Sequence, residues 1–124
     1  MKEIKIYGTG GQGAVIAAKF LANAASKSGF HAQAFSTYGA QRRGGKVEGY
    51  VRFSTKPVVV HSKMYDPDYV IMLDDIFARD PQTLLDLKEG GGLLINSQHG
   101  PDTFSSLGNF KIVTVDARRI ATKN

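Results

Sequence analysis

The chain has 124 residues, of which 42% are apolar and 22% charged, and it contains no cysteine. This length allows one hydrophobic core, so the sequence predicts a single domain over residues 1–124. Without a thiol, the chain cannot itself provide a disulfide, a zinc ribbon or the ligands of an iron–sulfur cluster. It has no apolar run of membrane-spanning length and begins with a strand-like stretch instead of a secretory leader, so we expect a cytoplasmic protein.

The formal net charge of +5 conceals two regions of opposite sign. No acidic residue lies between Glu3 and Glu48, whereas eight acidic residues lie between Asp66 and Asp102. A nucleic-acid-binding protein would be expected to carry a more evenly basic surface. The bipolar pattern instead favours docking against another protein, or an anionic ligand on the basic side.

The first half of the chain predicts a β–turn–α–β unit followed by an irregular segment. We expect a strand over residues 4–7, a glycine-rich turn over 8–13, a helix over 14–28 that ends at Gly29, and a strand over 31–35. Residues 36–46 are too few and too rich in glycine for a crossover helix. The strand predicted over residues 47–53 should therefore run antiparallel to a neighbour, with a hairpin partner over 58–60.

The second half predicts alternating strands and short helices. A continuous apolar run over residues 69–73 is typical of a buried parallel strand. The remaining predicted elements are a helix from the Asp80–Pro81 cap to Lys88, strands over 93–95 and 112–115, and a helix over 117–122 capped by Asp116. The expected fold is a three-layer α/β/α Rossmann-like domain with a mixed, mainly parallel sheet.

The helix predicted over residues 14–28 has an unusually narrow polar surface. Lys19, Asn23 and Lys27 form one thin stripe, and most other positions are apolar. A helix on the face of a sheet normally shows a broader polar side. Either this alanine-rich helix packs very tightly on the sheet, or its outer side is covered by a partner subunit.

The turn between the first strand and this helix carries a glycine motif. Gly8, Gly10 and Gly13 fit the three glycines of the pattern G-x-G-x-x-G, and Gly11 and Gln12 lie between the last two. Such a turn lets a ligand approach the backbone and places a phosphate at the free N–H groups of the helix. The acidic residue that would bind a ribose is absent from residues 31–47. Dinucleotide binding, another kind of phosphate binding and a purely structural turn all remain open.

The loop after the second predicted strand combines an aromatic residue, glycines and adjacent arginines. Its notable members are Tyr38, Gly39, Arg42, Arg43 and Gly44. Two neighbouring guanidinium groups can hold a carboxylate or phosphate through paired hydrogen bonds. The alternative is a solvated basic turn.

Together these residues resemble the gamma subunit of 2-oxoacid:ferredoxin oxidoreductases, the family that includes pyruvate:ferredoxin oxidoreductase. The family pattern is a G-x-G-G-Q-G turn, an alanine-rich helix and a Y-G-x-x-R-x-G loop. This chain has Gly8-Thr9-Gly10-Gly11-Gln12-Gly13 and Tyr38-Gly39-Ala40-Gln41-Arg42-Arg43-Gly44 in that order. Residues 113–121 also resemble the family's V-D-A-x-x-I-A stretch.

The resemblance implies one subunit of an enzyme that decarboxylates a 2-oxoacid oxidatively, forms an acyl-coenzyme A and passes electrons to ferredoxin. Alpha and beta subunits would be its partners, with a delta subunit as a further candidate. Thiamine diphosphate and the iron–sulfur clusters would belong to those partners, and we expect the isolated chain to be inactive. The two glycine-containing motifs would contact coenzyme A or a partner. The family usually continues into a further C-terminal segment, which we expect this chain to lack.

Two other functions remain open at this point. One is a free-standing nucleotide- or phosphate-binding protein, and the other is an assembly module that keeps only the fold. His31, His61 and His99 do not have the spacing of metal ligands, so no metal site is expected. Asp74 and Asp75 follow a predicted strand, where helix capping is the expected role.

Overall fold

The computed structural model describes residues 1–9, 13–38, 46–58, 66–85 and 87–123. Six strands and two α-helices form the framework: β1 Lys2–Thr9, α1 Ala14–Lys27, β2 His31–Tyr38, β3 Lys46–Ser54, β4 Tyr69–Met72, β5 Gly92–Asn96, β6 Lys111–Val115 and α2 Ala117–Lys123. Three 3-10 segments, Asp75–Arg79, Pro81–Leu84 and Pro101–Leu107, connect the later strands. None of the helices in these ranges is long and apolar enough to cross a membrane.

The strands form one mixed sheet in the order β2-β3-β1-β4-β5-β6. β3 is antiparallel to both of its neighbours, β1 and β2, whereas β1, β4, β5 and β6 pair in parallel. β1 and β2 therefore point the same way although β3 lies between them. The predicted mixed, mainly parallel sheet is confirmed, and so is the antiparallel direction of the strand that follows the arginine loop.

Apolar side chains pack on both faces of the sheet. On one face, Ile6 and Val51 contact Ala14 and Ala18 of α1. On the other face, a larger core is formed by strands β1, β4 and β5 and by the 3-10 segments, with these buried members: Tyr7, Val70, Met72, Phe77, Ala78, Leu87, Leu93, Ile95 and Phe104. Apolar side chains are therefore packed against both faces of the sheet, although not across its whole width.

The two faces are not covered equally, because α1 packs mainly against the β2–β3–β1 half of the sheet and beyond it reaches Ile71 of β4 and the following Leu73. We call the side of the molecule that carries α1 the α1 face. Among the described elements, no helix packs over the β4–β6 half on this face. Tyr69 and Val113 are consequently exposed, although neighbouring strand positions on the opposite face are buried.

α1 packs unusually closely on β3 because small residues meet at the contact. A Cβ atom built on Gly49 would lie 2.6 Å from the carbonyl oxygen of Ala14 and 3.1 Å from the Cβ of Ala18. Alanine combines this close approach with high helix propensity. The helix ends where the sequence predicts, because Gly29 adopts a φ of 95° and the Phe30 N–H donates to the carbonyl of Ala25.

The opposite side of the β2–β3–β1 half carries buried charges. Arg52 is 1% exposed, donates to the carboxylate of Glu3 at 2.6 Å and lies 5.0 Å from the centre of the Phe35 ring. Lys5 is also buried, with its ammonium 3.4 Å from Glu48. Both cations are thus compensated by carboxylates and aromatic faces, which ties β2 and β3 to β1.

The start of β4 is fixed to the start of β1 by Asp68. Its N–H donates to the carbonyl of Glu3, and its carboxylate accepts the N–H of Glu3 at 2.9 Å. The Lys88 ammonium donates to the same carboxylate at 3.0 Å. Partial burial opposes ionisation of this carboxyl group, but the hydrogen bonds from Glu3 and Lys88 outweigh it and lower the pKa of Asp68.

Two predicted elements differ from the structure. The helix expected from Asp80 to Lys88 is wrong: residues Pro81–Leu84 form a 3-10 segment instead. The Thr83 hydroxyl lies at hydrogen-bond distance from the carbonyls of Phe77 and Asp80, and these contacts fold the segment back on the preceding one. The strand expected over residues 31–35 extends to Tyr38, because it pairs with β3 along its whole length. The hairpin strand expected over 58–60 lies, apart from Val58, outside the described residues.

Replacing Gly49 with alanine should destabilise the fold, because the added methyl group would push α1 away from β3. We expect Gly49→Ala to lower the free energy of unfolding by about 2–3 kcal/mol in urea titrations. Gly100→Ala is the control, because Gly100 has a negative φ and open space around it. Equal stability of the two variants would contradict the close contact.

Asp68→Asn should destabilise the protein by about 1–2 kcal/mol at pH 7, since it weakens charge-assisted hydrogen bonds. The pKa of Asp68 is lower in the folded protein than its ordinary value of 3.8. The stabilisation by the ionised carboxylate is therefore complete above pH 3.8 and is lost as the pH falls through the folded-state pKa. Unfolding titrations from pH 7 down to pH 2 should therefore show the two proteins converging in acid. Asp102→Asn, at an exposed aspartate, should follow wild type throughout.

Candidate functional site at the carboxyl edge of the sheet

The two glycine-containing motifs leave the sheet side by side. The glycine turn follows Thr9 at the end of β1, and the arginine loop returns to the sheet at Lys46 in β3. Thr9 and Lys46 are direct partners in the antiparallel register. The other end of the loop is fixed in the same way, because Tyr38 of β2 pairs with Val47. The backbone thus brings together two motifs that are about thirty residues apart in the sequence.

The structure describes only the borders of these motifs. Gly8 belongs to β1, and Gly13 adopts a φ of 85° just before α1. The Ala17 N–H donates to the carbonyl of Gly13, so this glycine joins the turn to the first helical hydrogen bonds. The predicted site residues Gly10, Gly11, Gln12, Gly39, Arg42, Arg43 and Gly44 lie outside the described residues, and of Tyr38 only the backbone is described.

The glycine turn lies at the point where the sheet changes its winding direction. β1 leads through α1 to β2 on one side, whereas β4 leads to β5 and β6 on the other side. At this junction the Leu73 N–H donates to the carbonyl of Tyr7, which holds the ends of β4 and β1 together. Crevices at such switch points are the usual ligand sites of open α/β sheets.

A polar cleft of about 270 Å³ lies at the same edge, beyond the ends of the parallel strands. It is lined by residues that follow β4, end β5 or follow β6, chiefly Asp74, Asp75, Asn96, Ser97, Asp116 and Arg118. Asp74 has the predicted capping role, because its carboxylate accepts the Ile76 N–H. Asp116 likewise accepts the Arg119 N–H at the start of α2, as predicted.

Hydrogen bonds from β5 hold this cleft together. The Asn96 side chain donates to the carbonyl of Leu73 after β4 and accepts the N–H of Ala117 at the start of α2. The Ser97 hydroxyl donates to the carboxylate of Asp75 at 2.8 Å and accepts the His99 N–H. Asn96 and Ser97 therefore join three consecutive strand ends through side-chain contacts.

The charges divide this edge into two parts. The cleft beyond β4–β6 has three carboxylates and one guanidinium group, so it disfavours a phosphate group. Three cations, Arg42, Arg43 and Lys46, lie in the sequence in or next to the loop between β2 and β3. These strands lie on the other side of β1 from the cleft. Within the described ranges, no group of three or more His, Asp or Glu side chains is arranged to hold a metal ion.

Asn96 and Ser97 were not recognised as site residues from the sequence. Both lie at the carboxyl end of a short apolar strand, where ligand sites of α/β sheets usually form, and this position is the one sequence feature that indicates them. Whether such residues meet in a cleft depends on the strand order, which pairs β5 with β4 and β6.

The doubly wound sheet and the glycine turn at its switch point define a Rossmann-like α/β subunit. The sequence model of the family "Pyruvate ferredoxin/flavodoxin oxidoreductase" matches residues 3–124. The chain therefore belongs to this family, as the resemblance of its two motifs suggests.

Individual relatives agree with this assignment. Pyruvate synthase subunit PorC of Methanothermobacter marburgensis is 42% identical over the whole chain, which covers 68% of that protein. The crystal structure of pyruvate oxidoreductase subunit PORC from Thermotoga maritima has a TM-score of 0.81 at 31% identity and covers 98% of this chain. A 2-oxoglutarate:ferredoxin oxidoreductase from Magnetococcus marinus, solved with 2-oxoglutarate, coenzyme A and succinyl-CoA bound, shares the fold with a TM-score of 0.74 at 18% identity.

These proteins are longer than the present chain. The chain spans about two thirds of the length of the PorC relatives, with 66% of one from Methanosarcina barkeri and 65% of the solved Thermotoga maritima subunit. In the Magnetococcus marinus enzyme the same fold covers only 21% of a much longer polypeptide. The shared region is thus one part of a longer polypeptide in each of these relatives.

Asn96→Ala should loosen the carboxyl edge, because it removes the contacts to Leu73 and Ala117 together. We expect a loss of about 1–2 kcal/mol in the free energy of unfolding. We also expect faster amide hydrogen exchange at the start of α2. Asn109→Ala is the matched control, since its amide makes only a 3.4 Å contact to Glu89 at the surface. Unchanged exchange at Ala117 in Asn96→Ala would contradict this role.

Proposed function

We propose that the chain is the gamma-type subunit of a 2-oxoacid:ferredoxin oxidoreductase that acts on pyruvate or a similar 2-oxoacid. The complete enzyme would decarboxylate the 2-oxoacid, transfer the acyl group to coenzyme A and pass the electrons to ferredoxin. The observation that carries this proposal is the family match over residues 3–124, supported by the register that pairs Thr9 of the glycine turn with Lys46 just after the arginine loop.

The chemistry of the chain fits a subunit that works through its partners. It has no cysteine to ligate an iron–sulfur cluster. The described residues likewise offer no metal-binding group of carboxylates and histidines. As the family resemblance implies, thiamine diphosphate and the iron–sulfur clusters would be held by alpha and beta subunits, with delta as a further candidate, in a cytoplasmic complex.

The carboxyl edge would be this subunit's contribution to the assembled site. A coenzyme A molecule carries phosphates, which the carboxylates of the cleft disfavour and which the Arg42 and Arg43 guanidinium groups would attract. We therefore place coenzyme A, or an acidic partner segment, at the loop between β2 and β3. The pairs Arg52–Glu3 and Lys5–Glu48 support this role, because they fix β3, one of the two strands that carry the loop, to β1.

The first test is the native mass and composition of the chain when it is captured from its own source under anaerobic conditions. A large brown complex with further subunits, iron and thiamine diphosphate is the expected result. A colourless monomer or dimer without these components would contradict the proposal. A shift of its melting temperature by added nucleotides would then favour a free-standing nucleotide-binding protein.

Arg42→Ala should raise the KM of the complex for coenzyme A about tenfold or more, because one charge-assisted contact to a phosphate would be lost. The melting temperature of the isolated chain should not change. Arg79→Ala, at an exposed arginine on the 3-10 segment after β4, is the control and should leave the kinetics unaltered. Wild-type kinetics in Arg42→Ala would remove this residue from the proposed site.

A further inference from the structure

The outer side of α1 is apolar where a solvent-exposed helix is normally polar. Ile16 and Phe20 lie one helical turn apart and are 71% and 73% exposed. They occupy the helix side opposite the buried Ala14 and Ala18, in line with Asn23 and Lys27. Two large apolar residues side by side on this surface have no role in holding the helix to the sheet.

The same side of the molecule exposes a second apolar area, over β4–β6. Tyr69 and Val113 project from strands that carry no helix here, and Val113 is 55% exposed. The Tyr69 ring lies over Gly92, where a Cβ atom would be only 2.6 Å from it. Because parallel strands are normally covered on both faces, this half of the α1 face has the composition of a surface that becomes buried.

Within α1 and the described strands, every charged side chain on the α1 face is a lysine, whereas Asp68 and Glu89 of the adjoining loops line the groove over β4–β6. Strand alternation places Lys2 and Lys111 on this face, and Lys19 and Lys27 are exposed on α1. Neither α1 nor the described strand positions of this face include a carboxylate. Glu3 and Glu48, in contrast, project to the opposite side, where they pair with Arg52 and Lys5.

We propose that the α1 face binds another subunit of the same oxidoreductase, one that presents an apolar surface bordered by carboxylates. This inference rests on the proposed function, because it identifies where the partner subunit sits. Phe20 and Val113 are its apolar anchors, and the lysines attract the partner and orient it during encounter. A second copy of this chain is a poorer match, because two α1 faces would bring lysines against lysines.

The test is assembly of the full chain with the other subunits of the oxidoreductase from its own source, followed by sedimentation under anaerobic conditions. Phe20→Ser and Val113→Ser should each weaken assembly by about tenfold or more. Leu85→Ser is the matched control: Leu85 is also 73% exposed, but it adjoins the 3-10 segments on the opposite side of the sheet. All three variants should keep the melting temperature of the isolated chain, which separates docking from folding.

A charge-reversal pair tests the electrostatic part. Lys19→Glu combined with Lys27→Glu should slow association about tenfold or more at low salt, and this difference should shrink as salt is added. Lys56→Glu combined with Arg79→Glu, at two exposed cations outside α1, makes the same change in net charge and should have a smaller effect.

The outcomes separate this inference from the function on which it rests. If the wild-type chain does not assemble with the other subunits, the proposed function fails and the docking surface fails with it. If wild type assembles and both Phe20→Ser and Val113→Ser assemble equally well, only the docking surface is wrong. The proposal would also be overturned if the isolated chain self-associates and Phe20→Ser abolishes this self-association. The α1 face would then bind a second copy of this chain.

Discussion

The antiparallel pairing of β3 with β1 and β2 is the constraint on which the site depends. β1 and β2 point in the same direction, and β3 fills the space between them by running back. This places the start of β3 beside the end of β1, so that Lys46 pairs with Thr9. The strand ends that border the glycine turn and the arginine loop are neighbours for this reason. Gly49 is required for the packing of α1, since only a residue without a side chain lets α1 lie so close to β3.

The distribution of charge follows from the same arrangement. Because successive strand residues point to opposite faces, Glu3, Lys5, Glu48 and Arg52 all project to the face without α1, where they compensate one another in a buried layer. The α1 face is left with lysines from α1 and the sheet margins. The bipolar sequence thus becomes a molecule with carboxylate-paired cations on one side of β1 and β3 and the exposed lysines of α1 on the other. Such a surface suits association with an acidic partner.

Much of the fold could be predicted from local patterns. The helix α1, its end at Gly29, the capping aspartates Asp74 and Asp116 and all six strands of the described sheet appear where the sequence places them, within a few residues. The helix expected after Asp80 is wrong because the Thr83 hydroxyl contacts two backbone carbonyls and favours a tighter turn. β2 is longer than predicted because pairing with β3 outweighs the weak strand propensity of a short polar segment.

The sequence by itself determined the two glycine-containing motifs, the helix between them and the absence of thiol ligands. It also determined the short connection over residues 36–46, which makes the sheet mixed. These features depend on residue type and on spacing over a few positions, which local physical chemistry controls. Only the tertiary structure decided that the borders of both motifs share one edge and that Asn96 and Ser97 complete a cleft there. Strand order sets both, and strand order results from long-range pairing and burial that no local pattern encodes.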